Sequence, residues 1–141
     1  MFAVSGVCMF KIRLLLFLSL FLLTVDAYAA RGFYIADAEV ESVSVFYDGS
    51  LHVLQMEFRA DPLKVDTTKV TCASTWISGG NGLMVVSWWS ENAPSNFIMG
   101  YASLATAAQA QNKKVDISIA TDKCGVSKPY GQFWSGIRVV K

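Results

Sequence analysis

Residues 38–58 read AEVESVSVFYDGSLHVLQMEF, and the alternation in this stretch decides the fold. Ala38 and Val40, then Val43, Val45 and Tyr47, interleave with Glu39, Glu41, Ser42 and Ser44. A period of two is the periodicity of a β-strand with one buried face. The phase slips at Glu41-Ser42, and two apolar registers in one run predict a β-bulge, which bends a strand enough to curl a sheet toward a barrel. Asp48-Gly49 then marks a hairpin, because glycine accepts a positive φ without strain. The partner strand is Leu51 to Phe58. It carries His52, Leu54, Met56 and Phe58 on one face and Leu51, Val53, Gln55 and Glu57 on the other.

Working outward, Asp61-Pro62 ends the pairing, and the β-branched run from Lys69 through Cys72 to Trp76 predicts a third strand. The glycine-rich turn Ser78-Gly79-Gly80-Asn81-Gly82 leads into Leu83-Met84-Val85-Val86. A phosphate cradle needs its glycines to open a helix, so a following strand excludes one. The fourth strand, Leu83 to Trp89, ends in two adjacent tryptophans that must point to opposite faces. Ser95 caps the one predicted helix, which runs to about Gln111 and repeats Phe97, Ile98, Tyr101, Leu104, Ala105 and Ala108 at three- and four-residue spacing. Asn112 marks its end. Val115, Ile117 and Ile119 give a fifth strand, and Phe133 to Val140, interrupted by Gly136, a last one.

Four strands, a helix and two strands describe a β-rich α+β chain: a small curled antiparallel sheet or OB-like barrel with one packed α-helix. An open antiparallel sheet with one helix is the alternative.

N-terminal to this, residues 14–23 read LLLFLSLFLL, preceded by Lys11 and Arg13 and followed by Ala27-Tyr28-Ala29. That is the layout of a secretory signal peptide, and the run falls short of the about 20 residues a spanning helix needs. Cleavage after Ala29 is expected, so residues 1–29 are the leader and residues 30–141 a single domain. Met9 opens a compact n-region, Met9-Phe10-Lys11-Ile12-Arg13, so translation starts at Met1 or Met9. Cys8 precedes the apolar run and cannot be the acylated cysteine of a lipoprotein. The product is expected to be periplasmic or extracellular, with no stable membrane anchor after processing.

Removing Lys11, Arg13 and Asp26 from the twelve basic and eleven acidic residues leaves ten of each. Nucleic-acid binders carry a basic stripe, and Lys113-Lys114 is the only adjacent basic pair in the processed chain. Neither nucleic acid nor an anionic membrane surface is an expected partner. Two cysteines survive processing, Cys72 and Cys124, and an even count in a small exported domain reads as one disulfide. A redox-active pair is the rival reading, but such pairs usually sit close together as C-x-x-C.

Candidate chemistry is sparse. His52 is the only histidine, which excludes a two-histidine metal site, and no cofactor is implied. No G-x-S-x-G elbow accompanies His52, and no two acids are singled out as a glycosidase pair. The reading is therefore not an enzyme; a small hydrolase using His52 ranks below it. Aromatic residues are the more useful clue. Most of the tryptophans should be core, since large rings bury area efficiently in a small domain. Trp88 or Trp89, whichever faces out, is a candidate for stacking on a sugar or for a subunit contact, with Trp134 and Tyr130 as further candidates.

The Ala-rich helix, the run Gln111-Asn112-Lys113-Lys114-Val115-Asp116-Ile117-Ser118-Ile119, the cysteine-bearing loop and the terminal Gly136-Ile137-Arg138-Val139 carry a resemblance. This stretch, roughly the last 45 residues, is similar to the latter half of short secreted proteins of Gram-negative bacteria and, more distantly, to OB-fold binding subunits of pentameric toxins of the subtilase and pertussis type. The resemblance implies a barrel, ring assembly as a homo-oligomer and a glycan-binding face. It assigns no sugar-contacting residue in this chain. The expected function is a secreted non-catalytic binding or assembly module, glycan-binding and ring-forming; the alternative is a periplasmic structural or inhibitory partner of another protein, using an exposed strand edge or hairpin.

Overall fold

The structure, a computed structural model, describes residues 32–77, 81–125 and 130–141. The predicted leader lies outside the described residues, as do residues 78–80 of the glycine-rich turn. Five strands account for the sheet: β1 (Ile35–Asp48), β2 (Leu51–Arg59), β3 (Leu83–Ser90), β4 (Lys114–Cys124) and β5 (Gln132–Val139). One helix, α1 (Asn96–Ala110), connects β3 to β4. The strands close into a barrel in the order β1-β2-β3-β5-β4, with β4 pairing back onto β1. This five-stranded order with its helix is the OB-like plan, and the open-sheet alternative is excluded by the closure.

The hairpin forms as the alternation predicts. Val40 pairs with Phe58 and Ser42 with Glu57, so Glu41 is the extra residue of the bulge. Asp48 pairs with Leu51 across Gly49-Ser50, and Gly49 takes a φ of +64°. Inside the barrel, Leu54, Met56 and Phe58 of β2 meet Met84 and Val86 of β3, Val115, Ile117 and Ile119 of β4, and Trp134 of β5. All are buried. Asp61 ends β2 as expected, its carboxylate accepting from the Leu63 amide at the start of a short 3-10 turn.

Two expectations are corrected. The predicted strand from Lys69 to Trp76 is instead a covering loop with a 3-10 turn at Ala73–Thr75, and it touches the sheet through one isolated bridge, Trp76 to Met84. The reason is local competition for the backbone. The Asp66 carboxylate accepts from both the amide and the hydroxyl of Thr68, while the Asp66 carbonyl takes the amides of Lys69 and Val70, so the chain turns where β-branched residues favour extension. The buried side chain of Gln132 then does what a neighbouring strand would have done: it donates to the carbonyls of Lys69 and Ala120 and accepts from the Cys72 amide.

The sheet is also mixed rather than antiparallel throughout, because β5 lies parallel to β3 at Val86–Gln132 and Ser87–Phe133. Gly131 permits this approach. Its φ is +71°, and a Cβ there would stand 2.1 Å from the Val85 carbonyl oxygen, so a side chain is excluded both by conformation and by space.

The helix has the predicted ends. The Ser95 hydroxyl accepts from the Ile98 amide, and Asn112 turns left-handed at φ +51°. The amides of Asn112 and Lys113 reach back to Gln109 and Ala108, a Schellman ending. Of the periodic face, Ile98, Tyr101, Ala105 and Ala108 pack on the barrel, joined by Ala102, while Phe97 is 67% exposed and Leu104 45%. Small side chains let the helix axis come close to the sheet, while Phe97 and Leu104 are left on the rim. Among the described residues no helix is long and apolar enough to cross a membrane.

Candidate functional site

Strand register assembles the site. Phe46 pairs with Val53, and Val53 with Trp89, so these three side chains form one row across β1, β2 and β3 on the outside of the barrel. The parallel β3–β5 contact sets Phe133 beside Ser87, two residues before Trp89 and therefore on the same side. Tyr130, at the end of the β4–β5 connection, folds over the row. Trp89 meets Phe133 edge-on at 5.0 Å between ring centroids and Tyr130 at 5.7 Å, and Phe46 meets Tyr130 at 6.3 Å. Such tilted contacts are the favoured geometry between rings.

The rings are unequally accessible. Tyr130 is buried, Trp89 and Phe133 are half-buried, and Phe46 is 37% exposed. Tyr130 therefore serves as a clamp, and Trp89, Phe133 and Phe46 present the surface. The clamp has a polar end: the Tyr130 hydroxyl donates to the Asp48 carboxylate, tying the β4–β5 connection to the hairpin turn. Burial and this charged acceptor push the Tyr130 pKa up to about 12. Above the ordinary tyrosine pKa of 10 the unfolded chain releases this proton while the folded chain keeps it, so the interaction stabilises fully below pH 10 and is lost as pH rises through 12. A tyrosinate absorbance titration of the folded protein is expected to show one late step near pH 12 that Tyr130→Phe removes.

Among the described residues, one cation faces the platform. Lys123 lies with its Nζ 4.9 Å from the centre of the Phe133 ring. The adjoining residue, Cys124, is bonded to Cys72 with the Cα atoms 5.6 Å apart, and Gly125 donates its amide to the Gly131 carbonyl. The base of the connection that carries Tyr130 is thus fixed twice. Such a disulfide is compatible with an oxidising, exported compartment.

Two grooves lie elsewhere. One, of about 370 Å³, is lined by Glu39, Val40, Glu41, Gln109, Asn112 and Lys113. The other, of about 480 Å³, includes Asp37, Arg59, Asp61, Lys64 and Lys114. Six of their charges are paired: Lys64 with Asp37, Lys114 with Glu39, and Arg59 with Glu41. The Lys64 ammonium, by its hydrogen bond and its charge, lowers the Asp37 pKa. Ion-paired and solvated, these side chains form a polar surface.

Of the four candidates named from sequence, Trp89 and Tyr130 come together. Trp88 points to the opposite side of β3, packs against the core near Leu54 and approaches Phe133 only at 6.5 Å. Trp134 is wholly buried inside the barrel against Tyr101, so it presents nothing to a ligand. His52 stands edge-on to Tyr47 at 5.1 Å, on the face away from Trp89. Among the described residues no group of three His, Cys, Asp or Glu side chains is placed to hold a metal. Phe46, Phe133, Lys123 and Asp48 were missed. Counting back from the hairpin turn would have put Phe46 in the row of Trp89; nothing local marks Phe133 or Lys123.

The resemblance to secreted bacterial proteins and toxin binding subunits stands on its residues alone: no family model, curated protein or solved structure matches the chain.

Proposed function

We propose that the chain is an exported, non-catalytic binding module that holds a glycan on the platform made by Trp89, Phe133 and Phe46. The observation that supports this reading is the gathering of three partly exposed rings and one lysine on a rigid outer face, beside the β1–β2 turn and the β4–β5 connection. In OB-type barrels the face of the second and third strands and these two loops are where oligonucleotides and oligosaccharides bind. A charge balance of ten against ten in residues 30–141 favours the sugar over the polyanion. Apolar ring faces match the C–H faces of a pyranose, and Lys123 adds one hydrogen-bond donor at the rim.

The test is a glycan array probed with purified residues 30–141 and with the Trp89→Ala variant. The wild-type chain is expected to retain a defined subset of glycans, and the variant to bind them at least tenfold more weakly, about 1.4 kcal/mol or more. An unchanged binding profile in the variant, or no glycan retained by the wild-type chain, contradicts the proposal.

A further inference from the structure

Among the described residues, the first strand beyond Glu39 has a neighbouring strand on one side only. Among the described residues, β1 pairs with β4 at Ile35, Ala38 and Glu39, whereas its pairing with β2 continues from Ser42 to Asp48 without a break. The carbonyl of Glu41 is met by the side-chain amide of Gln109 at 2.5 Å, where the end of α1 reaches the strand. Past that point, among the described residues, no strand lies beside the outer row of backbone N–H and C=O groups of residues 42–47.

Sheet proteins that remain monomeric guard such edges with charges, proline, bulges or very short strands. The run Ser42-Val43-Ser44-Val45-Phe46-Tyr47 has no charge, no proline and no glycine, and the bulge lies before it. Its side chains are exposed as well: Val45 is 55% and Tyr47 64% accessible, although they continue the face on which Val43 packs against the core. An apolar stripe that leaves the core while still carrying a strand's hydrogen-bonding edge is built for continuation by another strand.

We infer that residues 42–47 pair with an extended strand of a second copy of this chain, so that the sheet runs from one copy into the next. The segment complements itself. Antiparallel pairing centred on Val45 sets Val45 against its counterpart, Val43 against Tyr47 and Ser44 against Phe46, with no like charges opposed. The equal numbers of acidic and basic residues in 30–141 remove the long-range repulsion that would otherwise keep copies apart. The two sites share Phe46, but Val45 and Tyr47 lie on the face of β1 away from Trp89, so substitutions there test the contact without touching the Trp89 ring.

Solution mass by light scattering on residues 30–141, compared at one protein concentration with Val45→Lys and Tyr47→Lys, tests the inference. Because this self-pairing is two-fold and uses the edge of both copies, the wild-type chain is expected to have the mass of two copies and both lysine variants that of one. Val45→Thr, which keeps a β-branched uncharged side chain, is expected to restore the assembly. A far-UV circular-dichroism spectrum like that of the wild-type chain, with one cooperative unfolding transition, shows that the barrel of the lysine variants is intact, as substitution at these exposed positions predicts. A monomeric wild-type chain, or an assembly that both lysine variants leave at its original mass, overturns the inference.

Discussion

Replacing Cys72 and Cys124 by alanine is expected to lower the unfolding free energy by about 4 kcal/mol, the chain-entropy value for closing a loop with a sequence separation of 52. Small domains have roughly 5–15 kcal/mol in total, so the loss is a large share of the stability. The loop between the cysteines contains β3, α1 and most of β4, and the bond anchors the irregular segment around Cys72 that took the place of the predicted strand. Without a strand ladder, that segment is held by the disulfide and the side chain of Gln132. Urea unfolding of the double variant against the wild-type chain measures the difference, and a change below about 1 kcal/mol would show that the covering segment is held by packing alone.

Trp134→Ala is expected to cost about 3–5 kcal/mol, the range for emptying a large aromatic site in a core. The ring is wholly buried, it meets Tyr101 at 5.8 Å, and the Tyr101 hydroxyl donates to the Ser135 carbonyl, so the same residues join helix to barrel. The partly exposed Trp89, by contrast, should lose less on truncation, about 1–2 kcal/mol, since part of its surface is already in water. Denaturation of the two variants side by side separates a packing tryptophan from a presenting one. Equal losses would place both rings in the core.

The reach of the sequence differs from element to element. The β1–β2 hairpin was legible because three signals agreed there: alternation, the slip at Glu41 and the Asp-Gly turn. The ends of α1 were legible because Ser95 and Asn112 act on the backbone within one turn of themselves. The segment from Lys69 to Trp76 was misread because propensity is overridden by a carboxylate, Asp66, that lies before the run it redirects. The helix face was legible in part: Ile98, Tyr101, Ala105 and Ala108 pack as the periodicity predicts, but periodicity also counts Phe97 and Leu104, which are exposed, and passes over the buried Ala102.

The site shows the same division. Opposite orientations for Trp88 and Trp89 follow from strand alternation alone. That Trp89 is the outward ring depends on which face of β3 lines the barrel, and the arrival of Tyr130 and Phe133 depends on the parallel β3–β5 contact that Gly131 allows. Long-range pairing of this kind leaves no local pattern. Trp134, in an alternating strand like its neighbours, could be assigned to the interior only once the barrel was closed.

The tryptophan indole N–H signals of labelled residues 30–141, followed by NMR while the strongest array glycan is added, test the platform most directly. The account predicts that the Trp89 signal shifts and saturates with glycan while that of Trp134 stays in place. A titration in which Trp89 is unmoved at saturating glycan would contradict it.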